Sequence, residues 1–441
     1  MQHSHEALDR PGGLATGGLI APLRHIDFRI LWAGMAVSLL GDGIFLIAVA
    51  WESYALWNAP AALSIVGIGM TVPTVLFLLV GGVVSDRCER RRVMLWSDAV
   101  RAVSVAALAL LVAGGSLQFW QLVALVAVYG SGTAFFTPAF EAVVPDLLPA
   151  EDLPAANSLD QLVRPVALRL AGPLLGGAAV AVGPTLAFAV DTASFVASLL
   201  AVLAIEPRAL VRDGAQPSAV GAVREAFGFI RRRVWLWATL ASAGVAYLVF
   251  LGPTEVLLPY VVKNELHASA STLGVVFGAG GLGAVLGAVW MGRRGHPRRD
   301  VSVMYATWTI ATLAVAGYGL ATGAWQLMVA CLVFNALEAA GTIVWATIKQ
   351  RHVPSTMLGR VSSLDWLISI GLLPISFALT APVAAAVGVR ATLVGAAVMG
   401  AFATVAPLFL RGIRDIEGAA HHSSGSGLGR AEAAAVATSR G

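Results

Sequence analysis

Residues 61–92 read AALSIVGIGMTVPTVLFLLVGGVVSDRCERRR. The stretch 61–84 carries no charge, whereas 85–92 carries four arginines and two acids. An uncharged helix of about 20 residues matches the hydrocarbon thickness of a bilayer. In lipid the backbone must satisfy its own hydrogen bonds, which leaves helices or closed barrels. Barrel strands alternate apolar and polar residues, and this stretch does not. It therefore reads as a membrane-spanning helix that ends in a basic loop.

Working outward, similar apolar runs recur, for example at 103–117 and 178–204. Over the 441 residues 58% are hydrophobic and 12% charged, with mean hydropathy +0.79. A soluble domain is about a quarter charged, so that class is excluded. The spacing predicts twelve spans: 28–50, 61–84, 93–115, 118–141, 159–182, 184–205, 234–261, 269–291, 301–322, 324–347, 358–386 and 389–411. The connections alternate between short uncharged turns, such as 57–60 and 114–117, and basic loops. The basic set holds 24 of the 29 lysines and arginines. By the positive-inside rule this predicts both termini and all basic loops in the cytosol. The net charge of +4 is thus a topology signal and implies no nucleic-acid partner. Cys88 falls in a predicted loop and Cys331 in a predicted helix, so no disulfide is expected. The first 25 residues lack the apolar core of a cleavable signal peptide.

The longest connection separates six spans from six. The expected organisation is a cytosolic segment 1–27, a six-helix half 28–205, a linker 206–233, a second half 234–411 and a disordered cytosolic tail 412–441. Residues 220–233 are amphipathic enough for a helix lying on the cytosolic face. Residues 81–87, Gly-Gly-Val-Val-Ser-Asp-Arg, find a weak echo in 287–293, Gly-Ala-Val-Trp-Met-Gly-Arg. Paired halves of this kind are expected of secondary transporters, with the substrate bound near mid-membrane.

Gly82, Asp86, Arg87, Arg90 and Arg91 form a Gly-x-x-x-Asp-Arg-x-x-Arg-Arg pattern. It resembles the loop between the second and third helices of the major facilitator superfamily. Glycine lets two helices approach, an acid favours a helix N-terminus, and arginines can bridge acids on nearby helix ends. A plain positive-inside cluster is the alternative. Gly172, Pro173, Gly176 and Gly177 resemble the Gly-Pro-x-x-Gly-Gly motif of the superfamily's antiporters; generic small-residue packing is the alternative. With 38–42 (Ser-Leu-Leu-Gly-Asp), 134–139 (Ala-Phe-Phe-Thr-Pro-Ala) and 152–159 (Asp-Leu-Pro-Ala-Ala-Asn-Ser-Leu), these stretches resemble the twelve-span drug–proton antiporter family that includes macrolide and enterobactin exporters. The resemblance implies an all-α integral membrane protein of the major facilitator fold, in a bacterial inner membrane. It implies export of amphipathic small molecules against protons by alternating access. Other drug-antiporter branches carry an arginine in the fourth helix. Residues 122–139 hold none, and Arg164 or Arg169 in the fifth span is the possible substitute.

Acids inside a membrane are costly and usually functional. Asp42, Glu338, Glu255, Glu52 and Asp191 are the candidates for proton coupling, with Asp42 first and Glu338 second. An interhelical hydrogen bond is the alternative for Asp42 and Glu338, and a solvated interfacial acid for Glu52 and Glu255. Asp191 and Asp365 stay ambiguous. Asp98 and Arg101, three apart in the third span, read as an ion pair. Phe45, Trp51, Phe334 and Trp345, with Arg169, are candidates for a substrate cavity; lipid-facing or interfacial aromatics are the alternative. Residues 278–283, Gly-Ala-Gly-Gly-Leu-Gly, match a dinucleotide fingerprint but follow no strand. Gly283 and Gly287 read instead as a helix-packing pair. No cofactor, metal site or catalytic constellation is expected, and His421 and His422 have no metal partners at usable spacing. The partners implied are a small-molecule substrate, protons and the lipid bilayer, for a monomeric chain. A siderophore or lysophospholipid transporter of the same fold remains an alternative. A non-transporting membrane sensor or enzyme is a remoter one.

Overall fold

A computed structural model describes residues 20–206, 219–294, 297 and 299–417. Among the described residues twelve helices are long and apolar enough to cross a membrane. They are Ile26–Leu56, Pro60–Leu78, Arg90–Ala113, Phe119–Leu147, Ala155–Val182 and Pro184–Ala204, followed by Val234–Glu265, Ala270–Arg294, Asp300–Leu320, Ala324–His352, Arg360–Val387 and Val389–Phe409. We call these the first to twelfth spans. The second helix itself runs on to Arg87. The first, fourth and tenth spans outrun their apolar cores by about a turn and a half, since helical hydrogen bonding continues past the hydrocarbon-length stretch. Prolines open the second and sixth spans, where the missing N–H is no loss.

The described residues form two compact units, 20–206 with 269–281, and 219–268 with 282–294, 297 and 299–417. Residues 269–281, the glycine-rich start of the eighth span, group with the first unit. Gly274 and Gly177 allow that segment to touch the fifth span: a Cβ on Gly177 would lie 3.0 Å from the Gly274 Cα. In the first unit the second span packs on the fourth, and the first and third pack on the sixth. In the second unit the ninth packs on the tenth and twelfth, and the seventh on the eleventh and twelfth.

Two prolines shape the first unit in one way. Proline lacks an N–H and leaves the carbonyl four residues earlier without its helical partner. Pro138 releases the Ala134 carbonyl, and Gly81 of the second span packs against that oxygen. Pro173 releases the Arg169 carbonyl, and Gly281 packs against it. Residues 166–171, just before Pro173, wind as a π-helix, a register change found often at functional sites. Gly283 and Gly287 abut the Leu332 and Ala336 carbonyls of the tenth span. The dinucleotide-like run is therefore helix packing.

The linker helix spans Ala219–Arg231. It does not merely lie on a surface. Ala226 and Ile230 enter the core of the second unit with Trp235, Tyr305 and Trp345, while Phe227 stays exposed. Glu225 pairs with Arg360. The apolar face seen in sequence is thus buried against protein, with Phe227 left outside it. The tail from residue 418, with His421 and His422, lies outside the described residues.

Candidate functional site

The first unit holds a polar cluster built by four spans. On the first span Asp42 sits between Gly41 and Gly43, and both glycines are contact points. A Cβ on Gly41 would strike Ser194 and Asp191 of the sixth span. A Cβ on Gly43 would lie 2.9 Å from the Ala167 carbonyl and 2.8 Å from Gly172, on the π-helical turn and the antiporter-like motif of the fifth span. These two contacts fix the first span, and Asp42 projects toward the fourth. There Tyr129 Oη donates to Asp42 Oδ1 at 2.6 Å. Phe45, one helical turn on, stacks against Tyr129 at 4.3 Å.

The third span supplies a buried ion pair. Arg101 Nη2 donates to Asp98 Oδ1, and the two side chains are 3% and 0% exposed. Ser198 of the sixth span donates to Asp98 Oδ2 at 2.7 Å. The Arg101 guanidinium lies 4.5 Å from the ring centres of both Phe136 and Phe195, a cation held between two π faces. Gly132 leaves room for its stem: a Cβ there would come within 2.7 Å of Arg101 Cγ. Asp191 is fully buried; Ser194 Oγ donates to its Oδ1 at 3.2 Å and to its carbonyl at 2.8 Å. Asp191 Oδ2 and Arg101 Nε have no hydrogen-bond partner. Arg101 and Asp42 meet in one aromatic cluster: Phe195 lies against the guanidinium and 6.0 Å from the ring of Tyr129.

The sequence candidates separate on this geometry. Asp42 and Asp191 come together in the first unit, where Gly41 packs against Asp191, while Glu338 and Glu255 belong to the second unit. Glu338 is half-buried and accepts from Thr342 at 3.0 Å. Glu255 is exposed, and Glu52 is buried rather than solvated at an interface. Phe45 is fully buried in the aromatic stack and offers no face to a substrate in this conformation. Trp345 is likewise turned into its own unit, donating to Asp365 at 2.9 Å and packing on Trp235. Asp365 also takes Lys349 at 2.5 Å, which makes it a structural ion pair. Phe334 is half-buried beside Phe250, Trp51 is half-buried, and Arg169 is exposed on the π-helical turn. Arg101 of the third span joins the aromatic cluster around Asp42, whereas Arg164 of the fifth pairs with Asp160.

At the basic end of the unit, Arg90 pairs with Asp146 and donates to the Ala142 carbonyl at 2.9 Å. Arg91 donates to the Val202 and Leu203 carbonyls at 3.0 and 2.7 Å, closing the C-terminus of the sixth span as a basic side chain should. The side chains of Gly82, Asp86 and Arg87 lie outside the described residues. Among the described residues no group of three or more His, Cys, Asp or Glu could hold a metal.

Twelve apolar spans, with a buried acid–arginine–tyrosine cluster on the first, third and fourth, define a polytopic membrane transporter. Its fold matches solved structures of a bacterial homologue of the iron transporter ferroportin (TM-score 0.63, 17% identity, 88% of this chain and 100% of that one) and the nucleoside transporter NupG (TM-score 0.64, 12% identity, 86% and 99%). At that identity the likeness concerns the fold alone. The profile of the transmembrane secretion effector family of the major facilitator superfamily matches residues 17–441, and the chain belongs to that family. Among its relatives are macrolide efflux protein A of Streptococcus pyogenes, 23% identical over 370 residues (83% of this chain, 91% of the relative). Another is enterobactin exporter EntS of Citrobacter koseri, 27% identical over 360 residues (77% and 81%).

Proposed function

We propose that the chain exports amphipathic small molecules, drugs or secondary metabolites, in exchange for protons by alternating access. In this reading it acts as a monomer in a bacterial inner membrane, with two six-helix halves and both termini cytosolic. The observation that carries the proton half is Asp42, a first-span carboxylate held by Tyr129 within an apolar bundle. Asp42 is half-buried, and a carboxylate taken partly out of water is costly as an anion unless compensated, so it can trade charge for a proton as its surroundings change. Glu338 is the second choice, in the tenth span. Arg90 with Asp146 and Arg91 with the sixth-span carbonyls act as the cytosolic latch, together with Gly82, Asp86 and Arg87 of the same motif. The export half is supported by the efflux and exporter relatives. The enterobactin exporter relative favours siderophores over lysophospholipids as a second substrate class.

Expression in an efflux-deficient host tests substrate class. Resistance to macrolides or other amphipathic drugs should rise several-fold. A siderophore exporter would instead change secreted siderophore and leave drug susceptibility unmoved. A lipid mover would do neither and would pass labelled lysophospholipid.

Orientation has its own test. Cys88, exposed and free after the second helix, and Ser116, in the turn between the third and fourth spans, are separated by one span. A membrane-impermeant maleimide on intact cells should spare Cys88 and label Ser116→Cys in a Cys88→Ser background. Labelling of both residues from outside would overturn the assignment.

A further inference from the structure

In the first unit, one guanidinium and three carboxylates from three spans belong to one cluster: Tyr129 binds Asp42, its ring lies 6.0 Å from Phe195, Phe195 lies against the Arg101 guanidinium, and Gly41, next to Asp42, packs on Asp191. Asp98 holds Arg101 directly and is further satisfied by Ser198. Asp42 has Tyr129, and Asp191 has only the Ser194 hydroxyl, with Oδ2 unpartnered in a fully buried position. One donor of Arg101, Nε, is also unpartnered although the side chain is 3% exposed. Burying charges without full compensation is costly. A guanidinium with a spare donor, in one cluster with an acid that has an unpartnered oxygen, is therefore poised to change partners. The faces of Phe136 and Phe195 leave it a plane in which to do so. The charged and titratable groups around Asp42 and Asp191 are Asp98 and Arg101 on the third span and Tyr129 on the fourth, with the field of Arg164 from the fifth.

We propose that Arg101 is a positioning residue for the proton site: its charge, divided between Asp98 and the Asp42–Asp191 pair, sets the pH at which that pair loads a proton. This goes beyond a structural ion pair and rests on the proton-coupled reading above. With Asp42 and Asp191 both ionised, Nε turns to them; with one protonated, the guanidinium relaxes onto Asp98.

The test is an infrared-detected pH titration of the purified chain in nanodiscs, following the C=O stretch of protonated carboxyls, with no substrate added. Asp42→Asn and Asp191→Asn identify the bands. Asp98→Asn removes the competing anion and commits Arg101 to the pair, so the midpoint should move to more acidic pH by about one unit. Asp98→Asn combined with Arg101→Gln removes the cation as well while keeping the site balanced, and the midpoint should move to more alkaline pH than in the wild type. Arg101→Lys retains the charge and should titrate close to the wild type. A pair that only holds helices together would lower thermal stability in the first two variants and leave both midpoints where they were, which overturns the proposal. The absence of any titrating band from Asp42 or Asp191 in the wild type overturns it too. Gradient-driven transport by the wild type is measured in parallel. If that transport is absent while the midpoints move in opposite directions, the coupling reading fails and the charge sharing stands.

Discussion

Asp42→Asn is expected to abolish accumulation of substrate against its gradient while downhill movement survives. Each pH unit across the membrane is worth about 1.4 kcal/mol per proton, a factor of ten. A one-for-one exchanger driven by two pH units can therefore hold a substrate gradient of about 100-fold. Asparagine keeps the size of the side chain and can still accept from Tyr129 Oη, so the fit of the first span between Gly41 and Gly43 is retained. What is lost is the ability to change charge, and the accumulation ratio should fall to about one. Reconstituted vesicles with an imposed pH gradient give the ratio directly. Accumulation equal to the wild type in Asp42→Asn, in Glu338→Gln and in the double variant would remove both acids from the coupling step.

Gly41→Val should cost the protein its packing. A Cβ at residue 41 falls on the Ser194 hydroxyl and Asp191. The first and sixth spans make one of the broadest contacts in the unit, so neither can move without disturbing the other. Overpacking a core costs about 1–3 kcal/mol, and here it also breaks the Ser194–Asp191 hydrogen bonds. The thermal midpoint should drop by several degrees and transport should fall with it. Gly395→Val is the control, since a Cβ there meets nothing within 4 Å. Equal midpoints for the two variants would contradict the close approach of the first and sixth spans.

The membrane architecture was legible because lipid imposes one rule on every span: about 20 apolar residues with internal hydrogen bonds. The Gly283–Gly287 pair was legible for a related reason, as glycines four apart share one helix face. The polar cluster was only partly legible. Three-residue spacing brought Asp98 to Arg101, and intramembrane cost marked Asp42 and Asp191. Tyr129, Phe195 and Ser198 gave no signal, and Phe136 gave one only as part of the family-like stretch 134–139. In a membrane both faces of a helix are apolar, so hydropathy does not separate residues facing lipid from residues facing protein. That degeneracy also misplaced the aromatics. Phe45 and Trp345 look like cavity walls in sequence and are core residues of their own units. The sequence paired Arg101 with Asp98 by spacing, but its place between Phe136 and Phe195 depends on contacts across spans that spacing does not encode.

The central claim is that protons drive export, and one measurement addresses it most directly. Wild-type chain is reconstituted into vesicles with an entrapped pH dye and given the compound to which expression confers the greatest resistance. With an acidic lumen, the compound should accumulate inside against its gradient, its entry should alkalinise the lumen, and a protonophore should abolish both. Accumulation that ignores the pH gradient and survives the protonophore would contradict the account.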